Sequence, residues 1–298
     1  MSIGLNQGPA AVVLSEPVWT AAQAAHAARV DAWTAGHLRR CRTGEKHPVE
    51  DFLFTYYPFR PSQLRRWHPG PGAVLAGDAA RGHLIWEGYV QRAEGVTLDV
   101  AAVVKRRTPV LRQVHDLASR MAARPAQFGC FGLHEWAMVY QQEPGQVRHS
   151  AWPLRLGAAG VAEVVQAQPL RCTHFDAFRF FTASARPRNV YAPTRESVPE
   201  LEQGGCLHAT MDLYKWAYKL GPLTASTLVA DAFDLARAVR ELDMRASPYD
   251  LSALGYEPVR IEEPAGRARY AAAQRAFAAR GADIRARLLA VTAYALRE

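Results

Sequence analysis

The chain has 298 residues, 49% of them apolar and 21% charged, a length and balance that allow one large buried core. Its formal net charge is +8, and of its 36 basic residues only Lys46, Lys105, Lys215 and Lys219 are lysines. That arginine excess suits an anionic partner, either DNA or a phosphorylated or carboxylated small molecule. No apolar run reaches the roughly 20 residues that span a bilayer, and Cys41, Cys130, Cys172 and Cys206 form no CxxC pair, which argues against membrane insertion, a zinc knuckle and a redox dithiol.

Residues 1–14 lack the basic and apolar regions of a signal peptide. They are expected to form a flexible segment ahead of a single globular domain over 15–298, in a reducing, cytoplasmic setting. Ser15, Glu16 and Pro17 read as a helix start, with a helix to about residue 40. A shorter aromatic helix is predicted over about 48–57, followed by an irregular stretch pinned by Pro58, Pro61, Pro69 and Pro71. Short strands are predicted at Val74-Leu75, at His83 to Trp86 and at Tyr89-Val90.

A long helix is predicted over about 99–123, interrupted or kinked at Pro109. Residues 161–181, rich in valine and phenylalanine, read as further strand. Helices follow over about 207–220, 224–244 and 266–296. In the second of these, Leu228, Ala232, Leu235, Val239 and Leu242 step by four, three, four and three, which makes one apolar face. The expected fold class is α+β, predominantly α-helical, with a small β element in the first two-thirds.

Three segments place histidine beside a carboxylate among aromatics: Phe131 to Trp136 with His134 and Glu135, Cys172 to Asp176 with His174, and His208 to Lys215 with Asp212. His208 and Asp212, four apart, share a helical face; His174 and Asp176 are expected on one side of a strand. Imidazole with carboxylate supplies either a general acid/base with an orienting partner or ligands for a divalent metal. Taken singly, each pair reads first as an ordinary buried hydrogen bond; the three together, beside tryptophan, tyrosine and phenylalanine, point to a shared pocket. A fourth segment, Arg65, Arg66, Trp67 and His68, combines guanidinium and aromatic groups that can hold phosphates and stack on bases. In a fifth, Leu242 to Asp250, Arg245 is expected to complement a helix C-terminus and its last carbonyls. No GxGxxG, GxxxxGK[ST] or GxSxG motif is present.

Together HPVEDFLFTYYPFRPSQLRRWHPG, FGLHEWAMVYQ, THFDAFRFF, GGCLHATMDLYKWAYKLGPL and LDMRASPYDL resemble an actinobacterial family commonly labelled 3-methyladenine DNA glycosylase. The resemblance runs from about residue 17 to 296. It implies an N-glycosylase, a hydrolase of DNA repair that releases an alkylated or otherwise damaged base without a cofactor. Under it Asp176 and Asp212 are the nominated carboxylates, assisted by His174, His208 and Glu135. Trp67, Trp136 and Tyr214 would stack on the base, and Arg65, Arg66, Arg179 and Lys215 would contact DNA. The residues alone support a second expectation equally: a metal-dependent, non-haem iron oxygenase-like enzyme. Its iron or other divalent metal would be held by His134, His174 and His208 with the neighbouring carboxylates. A third is a non-catalytic nucleic-acid-binding protein.

Overall fold

A strand opens the described part of the chain. The structure, a computed structural model, describes residues 12–142 and 151–297. Strand β1 (Val12–Leu14) pairs in parallel with β2 (Ala73–Leu75), Val13 opposite Val74. The segment expected to be flexible thus supplies a paired strand from Val12 onward, and the rest of it, residues 1–11, lies outside the described residues. Helix α1 (Glu16–Thr43) follows Ser15, has Pro17 in its first turn and ends at the left-handed Gly44. It turns Trp19, His26 and Val30 inward, and the Trp19 indole donates to the Ala76 carbonyl (2.9 Å). Helices α2 (Phe52–Tyr56) and α3 (Pro61–Leu64) are short, so only the second half of the predicted aromatic helix forms as α-helix.

Two strands complete the sheet, β3 (Tyr89–Arg92) and β4 (Gly95–Leu98), in the order β1-β2-β4-β3, with β4 antiparallel to both its neighbours. The strand predicted at His83 to Trp86 does not form: Asp78–Ile85 is a 3-10 helix. Small residues and a polar start favour that turn, and the Glu16 carboxylate accepts the Ala79 amide (3.2 Å). His83 is buried edge-on against Trp19 and Trp67, at 5.4 and 6.1 Å between ring centroids.

Helix α4 (Val100–Ala123) runs through Pro109, capped by Asp99, whose carboxylate accepts the Ala102 amide (2.9 Å). Short helices α5 (Leu133–Ala137), α6 (Gly157–Gln166), α7 (Phe175–Phe178) and α8 (Val198–Leu201) follow. Here the predicted strand over 161–181 is overturned. Val161, Val164 and Val165 are spaced three and four apart, so a helix turns all of them inward, whereas a strand would split them between two faces.

Helices α9 (Leu207–Lys219), α10 (Ser226–Arg245) and α11 (Pro264–Ala295) form the centre. α9 packs on α10 and α11, and α11 packs on α4. Leu228, Ala232, Leu235, Val239 and Leu242 of α10 are all buried, as their spacing predicts. Burying each leucine there contributes about 1.5–3 kcal/mol. The fold is α+β and mostly helical. Buried apolar residues from Trp19 to Ala295 form one contiguous cluster. Among the described residues no helix is long and apolar enough to cross a membrane.

Candidate metal centre

The start of α9, the end of α10 and the α5 to α8 connections meet at one place and bring His134, His174 and His208 together there. The His134 and His208 rings are 4.4 Å apart between centroids and nearly perpendicular; His174 stacks on His208 at 5.3 Å. His134 arrives on α5 after a turn in which Phe131 and Gly132 have φ of 50° and 74°. Any side chain at Gly132 would press against Tyr270, 3.2 Å from the position of a Cβ, so the turn requires glycine. His208 and Asp212 occupy successive turns of α9.

The carboxylates that meet these rings are mostly not the neighbours in sequence. His134 Nε2 lies 2.8 Å from Asp243 Oδ1, on the last turn of α10, and both side chains are buried. Glu135 turns instead to Arg240, 3.1 Å away. His174 Nδ1 lies 3.0 Å from Glu202 Oε1, just past α8, and its Nε2 faces Asp212 Oδ2 at 3.9 Å. Asp176 is not on a strand with His174; it sits on α7 at the surface, paired with Arg179 (3.1 Å). The result is two adjacent triads, His134/His208/Asp243 and His174/Glu202/Asp212. In each, one ligand atom from every residue lies within 4.8 Å of the others.

The close contacts pair buried atoms, His134 Nε2 with Asp243 Oδ1 (2.8 Å) and His174 Nδ1 with Glu202 Oε1 (3.0 Å), that form no hydrogen bond of regular geometry. Buried polar atoms are seldom left so. Two ligand atoms that share one ion, each about 2.1 Å from it and at right angles, lie about 3 Å apart without pointing at each other. The triads therefore have the residue types and spacing to hold a cation as well as an ion pair.

Charge admits a cation as it admits protons. Glu135, Glu202, Asp212 and Asp243 are buried acids, answered by the guanidinium of Arg240 and the ammonium of Lys215. With neutral imidazoles that leaves two negative charges in excess, which protons on the histidines, or bound cations with the anions they carry, can offset. Burial alone would depress His134, but the Asp243 carboxylate overrides it and raises its pKa well above 6.5. His174 is likewise raised against its burial, by Glu202 and then Asp212. His208 is pushed well below 6.5, first by burial and then by the neighbouring His134. Burial would raise Asp212, yet Lys215 and His174 hold it below the usual carboxylate range. The Tyr57 hydroxyl donates to its Oδ1 (2.7 Å).

A cavity of about 410 Å³ opens beside the first triad, lined by His134, His208, Cys130, Cys172, Cys206 and Gln274 among others. Cys130 Sγ faces the far nitrogen of His134, Nδ1, at 3.7 Å. Burial pushes the Cys172 and Cys206 thiols up. Gln274 donates to the Gly205 carbonyl, and its own Oε1 is buried without a partner.

The remaining nominated residues, Lys215 excepted, lie outside the triads. Trp67 is a core residue stacked on Trp19 at 6.5 Å, and Arg65 is an exposed partner of Asp31. Arg66 lies over Trp86 (4.2 Å) at a separate cleft. Trp136 and Tyr214 are fully buried; the Trp136 indole donates to the Ala246 carbonyl (2.8 Å). Lys215 contacts Asp212, and Arg179 contacts Asp176. Arg245 binds the Glu257 carbonyl and Glu241 at a helix end, the structural part expected of it. From that same segment, however, Asp243 enters the site. It was legible in principle: it falls four residues after Val239 and eight after Leu235, an acid on the inward face of α10. Glu202 carried no such signal. No family model, curated protein or solved structure matches the chain.

Proposed function

We propose that the protein is a metal-dependent enzyme whose divalent cation is held by His134, His208 and Asp243 at the wall of the Cys130-lined cavity. The observation that carries this reading is the convergence of His134, His208 and Asp243, whose ligand atoms lie within 4.8 Å of one another, with His134 Nε2 2.8 Å from Asp243 Oδ1. Two imidazoles and one carboxylate with positions left open are the ligand set of non-haem iron(II) oxygenases. A bound cation would supply Lewis acidity towards an oxygen ligand or substrate.

The chain's own residues do the rest. Arg240 holds the second oxygen of Asp243 (3.3 Å) and is itself anchored by Glu135, so the carboxylate is fixed facing His134. For His134 to offer a lone pair at Nε2, its proton must sit on Nδ1, where Cys130 receives it. The cavity admits a small molecule to this wall, and Gln274 Oε1 offers it a buried acceptor.

The base-excision reading finds less support: Asp176 is half-buried and paired with Arg179, away from the three histidines' carboxylate contacts, and Trp136 and Tyr214 are fully buried. Elemental analysis of the purified protein tests the proposal. Stoichiometric iron, manganese or zinc, lost in His134→Ala, supports it. Metal-free protein that releases bases from alkylated DNA overturns it in favour of the glycosylase.

A further inference from the structure

We infer that His174, Glu202 and Asp212 hold a second cation, so that the centre is dinuclear; the inference rests on the first site being a cation site. These three side chains are 2–4% exposed, deeper than most acids in any fold. Their ligand atoms converge within 4.8 Å. The two triads are neighbours, since the His174 ring stacks on His208, a member of the first, with 18° between their planes.

The competing occupant is a proton on His174. An imidazolium between two carboxylates aims its N–H bonds at their oxygens, because that is where the attraction is strongest. Here Glu202 Oε1 is only 3.0 Å from His174 Nδ1, yet Nδ1 is buried and has no hydrogen-bond partner. One ligand atom from each of the three residues nevertheless lies within 4.8 Å of the other two. Asp212 already attracts a cation: the Lys215 ammonium, on a partly exposed stem, sits against its Oδ2, where a metal ion would take its place. Tyr57 donates to the other oxygen, Oδ1, and so fixes the carboxylate without blocking Oδ2. Arg124 grips the Glu202 backbone carbonyl (2.7 Å) and leaves its side chain free to ligate.

The test is metal stoichiometry of the full chain, equilibrated with manganese(II) alone and measured with its electron paramagnetic resonance spectrum. Two manganese ions per wild-type chain with a spin-coupled signal, and one ion with an uncoupled six-line signal in Glu202→Gln, are expected. One ion in both proteins overturns the second site and leaves the first standing. Two ions in both, or two without coupling, also overturn it, because the second ion then lies elsewhere. No bound ion in the wild type overturns the first site as well. Should Glu202→Gln fail to fold by circular dichroism, the wild-type stoichiometry and coupling decide the matter.

Discussion

Arg240 Nη1 lies 3.3 Å from Asp243 Oδ2 on the same face of α10, and both side chains are almost wholly inaccessible. The same nitrogen reaches Glu135 at 3.1 Å, while the guanidinium plane lies over Phe52 (3.8 Å). One buried cation therefore holds two buried acids at the edge of the proposed centre. Replacing it by Met keeps much of the volume and removes the charge. Arg240→Met is expected to lower stability by about 3–5 kcal/mol in chelator, the usual cost of stranding a buried charge. Added divalent cation should restore part of that loss. Urea unfolding with and without metal checks it, and a variant indifferent to metal would contradict the proposed charge balance.

Cys130 acts on the centre through His134. Cys130→Ala removes the partner of Nδ1, so metal affinity is expected to fall about 10–100-fold, as for other partners of ligating histidines. Cys130→Ser, which retains an acceptor, should recover most of it. Equal affinity in all three proteins would show that the 3.7 Å contact has no role.

Far from the centre, His68 gives the fold a pH dependence. Burial, then the neighbouring His83, lowers its pKa from 6.5 to about 4, and its Nδ1 meets the Tyr89 hydroxyl at 3.1 Å. The unfolded chain accepts the proton near pH 6.5 and the folded chain only near 4. Stability is therefore unaffected above about 6.5, falls between 6.5 and about 4, and levels off below. The shift corresponds to a loss of about 3 kcal/mol. Denaturant unfolding across this range should show a smaller fall in His68→Gln than in the wild type.

Asp176 and Arg179, 34% and 44% exposed, form a surface pair. Asp176→Asn and Arg179→Ala are each expected to change stability by less than about 1 kcal/mol and to leave metal content unchanged. Loss of metal in Asp176→Asn would reinstate the carboxylate that sequence reasoning nominated.

That nomination shows where local reasoning stops. Long elements were legible because their signals are periodic: the steps along Leu228, Ala232, Leu235, Val239 and Leu242 can be satisfied only by a helix. At 161–181, valine content outweighed the three-and-four spacing, and the strand was misread. The three histidines were legible as a set because their residue type is rare and chemically specific, and they do converge. Their carboxylates were not, because a ligand pair is made by tertiary packing. His134 finds Asp243 across the α5–α10 contact while its neighbour Glu135 points at Arg240.

The most direct test follows from that contact. Cobalt(II) added to chelator-stripped wild-type protein should bind stoichiometrically and give visible absorption bands of histidine and carboxylate ligation. Asp243→Asn, which keeps the shape and removes the charge, should bind at least tenfold more weakly. Bands and affinity unchanged in Asp243→Asn, or none in the wild type, would contradict the account.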